Sequence, residues 1–161
     1  MNRIWILGGT NSGKTTFAKK ISKKLRLRYY ATDFMKYNKD FSKKLSEKLR
    51  DKKIKELARK KKWVCEGTNR AEWVWPAFKK SDFVIILKTS PFIRIKRLFN
   101  REINERKRKL SIGKKIRLWY IVFSYHFKGY RHHKDLAKQF NKPYIVLRNN
   151  KEMDKFLEEL K

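Results

Sequence analysis

Apolar residues fall along this chain in five short runs, one of them interrupted by Arg28, separated by longer stretches in which they recur every three or four positions. The runs are Ile4 to Leu7 behind Arg3, Leu27 to Ala31, Trp63-Val64-Cys65, Phe83 to Leu87 and Tyr144 to Leu147. Short, wholly apolar runs predict strands buried on both faces of a parallel sheet. Between them, Phe17, Ala18, Ile21 and Leu25 predict a helix over 14–25, with lysines on its other face. Phe41, Leu45, Leu49, Ile54, Leu57 and Ala58 predict one or two helices between Asp40 and Lys62. Ser90-Pro91 opens a helix to about Lys109, and Ser111-Ile112-Gly113 interrupts it. A long aromatic helix follows from Lys114, and a last one spans 151–160. Strand and helix alternate throughout, which predicts a three-layer α/β sandwich around a parallel sheet.

Composition narrows this to one domain over 1–161, with a helical insert at about 34–62 and a lid plus aromatic helix at about 92–133. Hydrophobic residues make up 40%, which argues against disorder. The single cysteine, Cys65, reads as a small buried hydrophobe and excludes an internal disulfide. The glycines begin at Gly8, leaving no room for a leader, and no apolar stretch approaches a membrane span. The expectation is a soluble, cytoplasmic protein without a membrane partner. Charge complicates the picture: 45 Lys and Arg against 15 Asp and Glu give a formal +30. Attraction to phosphate-rich partners, nucleic acid among them, is one reading. Compositional drift is the other, because 31 of those cations are Lys.

The candidate chemistry begins between the first strand and the first helix. Gly8-Gly9-Thr10-Asn11-Ser12-Gly13-Lys14-Thr15 satisfies Gly-x-x-x-x-Gly-Lys-Ser/Thr in the strand-to-helix context that this motif requires. Glycines let successive backbone amides curl around phosphate oxygens, and the helix adds its own unpaired amides and dipole. Lys14 is expected at the β- and γ-phosphates, the Thr15 hydroxyl on Mg²⁺, and Thr16 at a further phosphate contact.

Three more groups reach the carboxyl edge of the predicted sheet, where open α/β folds bind ligands. Glu66, ending strand three, is the carboxylate available to orient a Mg²⁺-bound water. Arg70 suits an acceptor phosphate or carboxylate. Asp33 either places the acceptor or caps a helix. On the helix after Pro91, Arg94, Arg97, Arg101 and Arg108 lie within about 60° of one another, opposite Ile95, Leu98, Phe99 and Ile103. Arg97 and Arg101 are the expected stabilisers of a transferring phosphoryl group, with Arg106 and Arg108 as lid residues. Trp119, Phe123 and Phe127 read as core; His126, His132 and His133 read as surface.

With these residues placed, the chain resembles the adenylate kinase-like P-loop kinases, and among them the topology modulation proteins (FlaR-type). The likeness rests on the glycine loop, Asp33, Glu66-Gly67-Thr68-Asn69-Arg70, Phe83 to Leu87, Pro91, the Arg97-x-x-x-Arg101 pair, Trp119 and Ile145-Val146-Leu147-Arg148 in order. It implies a five-stranded sheet in the order 2-3-1-4-5 with a small helical lid. It implies metal-side and acceptor-side roles for Glu66 and Arg70, and donor-phosphate roles for Arg97 and Arg101. Lys88 stands where the topology modulation proteins usually carry Asp. The segment between Asp33 and Trp63 carries no recognisable acceptor motif.

The functional expectation is therefore an ATP- or GTP-dependent, Mg²⁺-requiring phosphotransferase acting on a small acceptor, such as a nucleoside monophosphate. The alternatives are a nucleic-acid-binding P-loop protein (a polynucleotide kinase or RNA-associated ATPase) and a nucleotide-dependent switch.

Overall fold

A computed structural model describes residues 1–38, 42–104 and 112–160, with the backbone alone at 101–104, 112, 114 and 115. Five parallel strands form one sheet in the order β2-β3-β1-β4-β5: β1 Arg3–Gly8, β2 Arg28–Ala31, β3 Trp63–Gly67, β4 Phe83–Leu87 and β5 Tyr144–Leu147. The expected fold and strand order are observed. Strand β1 lies in the middle, with Leu7 opposite Gly67 on one side and Gly8 opposite Leu87 on the other. Whatever follows Gly8 is therefore delivered to the centre of the sheet's carboxyl edge.

Alternation along the strands divides the core in two. Trp5, Leu7, Trp63, Cys65, Val84 and Ile86 face one layer of helices; Ile4, Ile6, Val64, Ile85 and Leu87 face the other. On the first side pack α3 (Glu47–Arg59), the short α4 (Trp75–Phe78) and α7 (Tyr130–Gln139). The Trp5 indole meets Trp63 and Phe78 edge-on there, ring centroids 5.9 and 5.5 Å away. On the second side lie α1 (Lys14–Lys24) and α8 (Asn150–Glu159). The central strands β1, β3 and β4 are buried on both faces, as their unbroken apolar runs require, whereas the edge strands β2 and β5 are only partly buried and Arg28 is exposed.

Local chemistry fixes the ends of these helices. Ser46 caps α3 by accepting from the Leu49 amide. Asn149 accepts from Glu152 N while Glu152 accepts from Arg148 N, a reciprocal cap that starts α8. The short α2 (Asp33–Lys36) begins directly after β2.

The layer over the sheet's carboxyl edge departs from expectation. Helix α5 (Pro91–Asn104) and helix α6 (Ile112–Ser124) lead through a wider π turn, Tyr125–Gly129, into α7. Trp119 and Phe127, expected in the core, are exposed; among the described side chains of α6, Val122 is the one with no exposure. The inward stripe is Leu118, Val122, Tyr125, Gly129 and His133, a three-to-four spacing that outweighs the size of the aromatic side chains. On α5 Leu98, expected opposite the arginines, lies on their side, four residues from Arg94, and is buried with it, whereas Phe99 points outward. Of the two helices allowed for between 40 and 62, one, α3, is found; Asp40 and Phe41 lie outside the described residues. Among the described residues no helix is long and apolar enough to cross a membrane.

Candidate active site

The glycine loop leaves β1 and turns through two left-handed residues, Asn11 at φ 58° and Gly13 at φ 94°. Ser12 N donates to Gly9 O at 3.2 Å, closing the turn, and Phe17 N donates to Gly13 O as α1 begins. Such a turn at a helix start gathers backbone amides around one point, an anion cradle. Thr89 at the end of β4 secures it, its hydroxyl donating to Ser12 O at 2.9 Å.

Lys14 curls back over this cradle, its ammonium donating to Gly9 O at 2.9 Å. Burial lowers its pKa; Glu66 and Asp33 oppose that shift, and Arg94 adds to it. The lysine thus has two carboxylates and a guanidinium for neighbours. The Thr15 hydroxyl donates to Glu66 Oε1 at 2.8 Å, and the Tyr29 hydroxyl donates to the same oxygen at 3.1 Å. Glu66 is buried at the tip of β3. A hydroxyl and a carboxylate meeting beside a phosphate cradle form a hard-oxygen donor pair, the kind that suits Mg²⁺. Among the described residues no group of three or more His, Cys, Asp or Glu assembles. Any ion here would take its remaining ligands from water and phosphate, as Mg²⁺ commonly does.

Two arginines of α5 lie against the loop. Arg97 donates to Asn11 O at 3.3 Å and to Asn150 Oδ1 at 2.8 Å, and burial lowers its pKa. It helps line a cleft of about 620 Å³ between the loop, α1 and the start of α8, together with Gly13, Thr16, Lys20 and Asn150. Arg94 goes deeper. It has no exposed surface, donates to Thr10 O at 2.7 Å and to Val122 O at 3.1 Å, and stacks on the Tyr125 ring at 4.8 Å. Burial pulls its pKa down to about 10, with Tyr125 opposing. A Cβ on Gly9 would collide with the Arg94 guanidinium, so only glycine admits this approach. The Arg101 side chain, Arg106 and Arg108 lie outside the described residues.

Behind Arg94, the Tyr125 hydroxyl sits 2.9 Å from His133 Nδ1, and His133 Nε2 is 3.4 Å from Thr68 O. The Thr68 carbonyl must accept, so Nε2 carries the proton and Tyr125 donates to Nδ1. His133, expected at the surface, is instead buried, and that burial drives its pKa down to about 3. Asp33 and Arg70 are both exposed at the same edge. The Asp33 charge acts on Lys14, and that of Arg70 acts on Tyr125 and His133. The structure thus brings Lys14, Thr15, Glu66 and Arg97 to the glycine loop, with Asp33 and Arg70 flanking it. The sequence places Arg94 on the arginine stripe without giving it a role here, sets His133 at the surface, and does not single out Tyr125.

Buried polar atoms without a partner among the described residues collect here as well: Asn11 Nδ2, Ser12 Oγ, Thr32 Oγ1 and Arg94 Nη2.

The architecture matches solved structures over nearly its whole length. Shikimate kinase from Bacteroides thetaiotaomicron aligns with a TM-score of 0.62, covering 98% of this chain and 94% of that one at 15% identity. The fold is P-loop kinase-like. A shikimate kinase from Acinetobacter baumannii, solved with shikimate, gives 0.61 at 14% identity, covering 99% and 90% of the two chains. A sugar kinase from Janibacter sp. gives 0.51 at 12% identity over 98% and 91%. At such identities the P-loop kinase-like fold is what is shared. No family model matches the chain, and no curated protein matches it.

Proposed function

We propose that this chain is a nucleotide-dependent phosphotransferase that moves the γ-phosphoryl group of ATP or GTP to a small acceptor. The observation that carries the reading is the Thr15–Glu66 contact of 2.8 Å beside Lys14, at the start of α1. It joins a phosphate cradle, a cation and a metal-suited oxygen pair at one point. The likeness to shikimate and sugar kinases supports a small-molecule acceptor, and the residue order quoted above supports kinship with the topology modulation proteins.

In this mechanism the loop amides of Gly9 to Thr15 bind the β-phosphate, and Lys14 exchanges its contact with Gly9 O for phosphate oxygens. Thr15, and Glu66 through water, would hold Mg²⁺, whose charge when bound would offset that of the phosphates. The cleft at Arg97 and Asn150 receives the nucleoside. Arg94 and Arg97 place fixed positive charge where negative charge spreads during transfer, at no reorganisation cost. Asp33 accepts the proton of the acceptor hydroxyl as its oxygen bonds to phosphorus and the bond to the β-γ bridging oxygen breaks. Arg70 orients an anionic group on the acceptor, with Arg101 completing the donor side.

An acceptor screen with γ-labelled ATP tests this. Label is expected on a small hydroxylated or phosphorylated compound, with Lys14→Ala reducing transfer by about a hundredfold or more. Free phosphate released at one rate, whatever compound is added, would overturn it.

A further inference from the structure

Eight of the eleven large hydrophobic side chains that are exposed among the described residues lie between Phe92 and Phe127, on α5, α6 and the π turn. Tyr120 and Phe92 are the most open, at 74% and 73%, with Phe127 and Ile116 on Tyr120's side of the helix and Ile93 and Ile121 exposed about 100° round from Phe92 and Tyr120. The two helices touch through edge-on pairs, Phe92 with Phe123 and Phe99 with Trp119, which makes one continuous face. A soluble monomer seldom leaves so much apolar surface together without a partner for it.

The charge around this face indicates what covers it. Among the side chains described between Pro91 and Lys134, none is acidic. Lys96, Arg117, Lys128 and Arg131 are exposed at the margins of the apolar face. A second copy would set the same cations against themselves. Single-stranded nucleic acid would find charge to its liking, but it uses free ring faces. Here the Phe92–Phe123 and Phe99–Trp119 rings engage each other, which leaves Tyr120 and Phe127, about two helical turns apart, as the open rings, and Ile116 between them and α5 offers no π-face at all. Aliphatic and aromatic groups bordered by Lys and Arg fit the headgroup boundary of an anionic bilayer, where hydrocarbon takes the isoleucines and phosphates take the cations.

We propose that the α5–α6 face docks on anionic phospholipid membranes, lying on the surface without crossing it. The proposal stands apart from the phosphotransfer reading, because the contact needs neither nucleotide nor acceptor.

Co-sedimentation of the full chain with phosphatidylcholine vesicles, with and without about 30% phosphatidylglycerol, tests it. Binding is expected to the anionic vesicles alone, weakening as salt rises. The double variant Ile116→Glu, Tyr120→Glu should lower the partition coefficient about tenfold or more, with an unchanged melting temperature. Should that variant unfold, Arg117→Glu and quenching of wild-type Trp119 by brominated lipid, absent in Trp119→Phe, read the same contact. Equal binding by wild type and double variant overturns the proposal, as does absence of vesicle binding. So does an RNA oligonucleotide or a dimer that the double variant abolishes while vesicle binding persists.

Discussion

At the residue scale, Arg94 and Arg97 are one helical turn apart and touch the same loop, yet their environments differ. Arg94 is enclosed and holds two carbonyls belonging to separate elements, Thr10 in the loop and Val122 in α6. Truncating it leaves both carbonyls short of a donor and opens a cavity against Tyr125. Arg94→Ala is therefore expected to cost about 2–4 kcal/mol in urea-unfolding stability. Arg97 is only partly buried and lines the cleft, so Arg97→Ala should cost less than about 1 kcal/mol while weakening nucleotide binding. Equal stability losses in the two variants would contradict this division of labour.

His133 makes a different prediction, because its folded pKa is depressed to about 3. Between that value and the ordinary histidine value near 6.5, the unfolded chain binds a proton that the folded chain refuses. Stability is therefore fully present above about pH 6.5 and falls by up to about 1.4 kcal/mol per unit as the pH drops toward 3. His133→Gln keeps an acceptor for Tyr125 and a donor for Thr68 O but does not titrate. Urea midpoints at pH 7, 6 and 5 should fall more steeply for wild type than for this variant. Parallel slopes would show that His133 is not the group responsible.

At the scale of elements, what could be read from the sequence was whatever a local pattern determines. The run Ile4 to Leu7, the glycine spacing and the capping chemistry each act within a few residues, so β1, the loop and α1 were legible. Arg94 was not, because a charged residue on a helix is ordinarily taken as facing water, and its burial depends on carbonyls 28 and 84 positions away. Helix α6 was misread for another reason. Trp119, Phe123 and Phe127 recur at four-residue steps and so suggest a core stripe, but Leu118, Val122, Tyr125, Gly129 and His133 hold a parallel one, with a small residue where Tyr125 needs room, and that is the one turned inward. Gly129 sits in helical backbone, where alanine ordinarily gains up to about 1 kcal/mol. Yet a Cβ there would stand 2.6 Å from Tyr125 Cδ2. Gly129→Ala should consequently lower the melting temperature, whereas Gly113→Ala, with nothing within 4 Å of the added carbon, should raise it slightly. Calorimetry on the pair decides whether the steric fit of Tyr125 outweighs backbone entropy.

At the scale of the whole molecule, the +30 charge and the anion cradle make separable demands. Fifteen acids cannot neutralise 45 bases, and the described ion pairs, such as Lys20–Asp154 and Lys155–Glu159, are largely solvent-exposed. Exposed pairs contribute little, so net self-repulsion dominates the long-range electrostatics and is stronger in the compact state than in the expanded chain. Raising NaCl from about 20 to about 300 mM shortens the screening length from about 21 to about 6 Å, and the melting temperature should rise. Pyrophosphate at matched ionic strength should add a further rise, because an anion bound to the folded state alone stabilises it by mass action. The two effects part company in Lys14→Ala. The NaCl rise depends on charges spread over the whole surface and should persist, whereas the pyrophosphate increment depends on the loop and should vanish. A pyrophosphate increment that survives in Lys14→Ala would place the anion elsewhere on the basic surface. A melting temperature that falls with NaCl would mean that ion pairing, not repulsion, governs the fold.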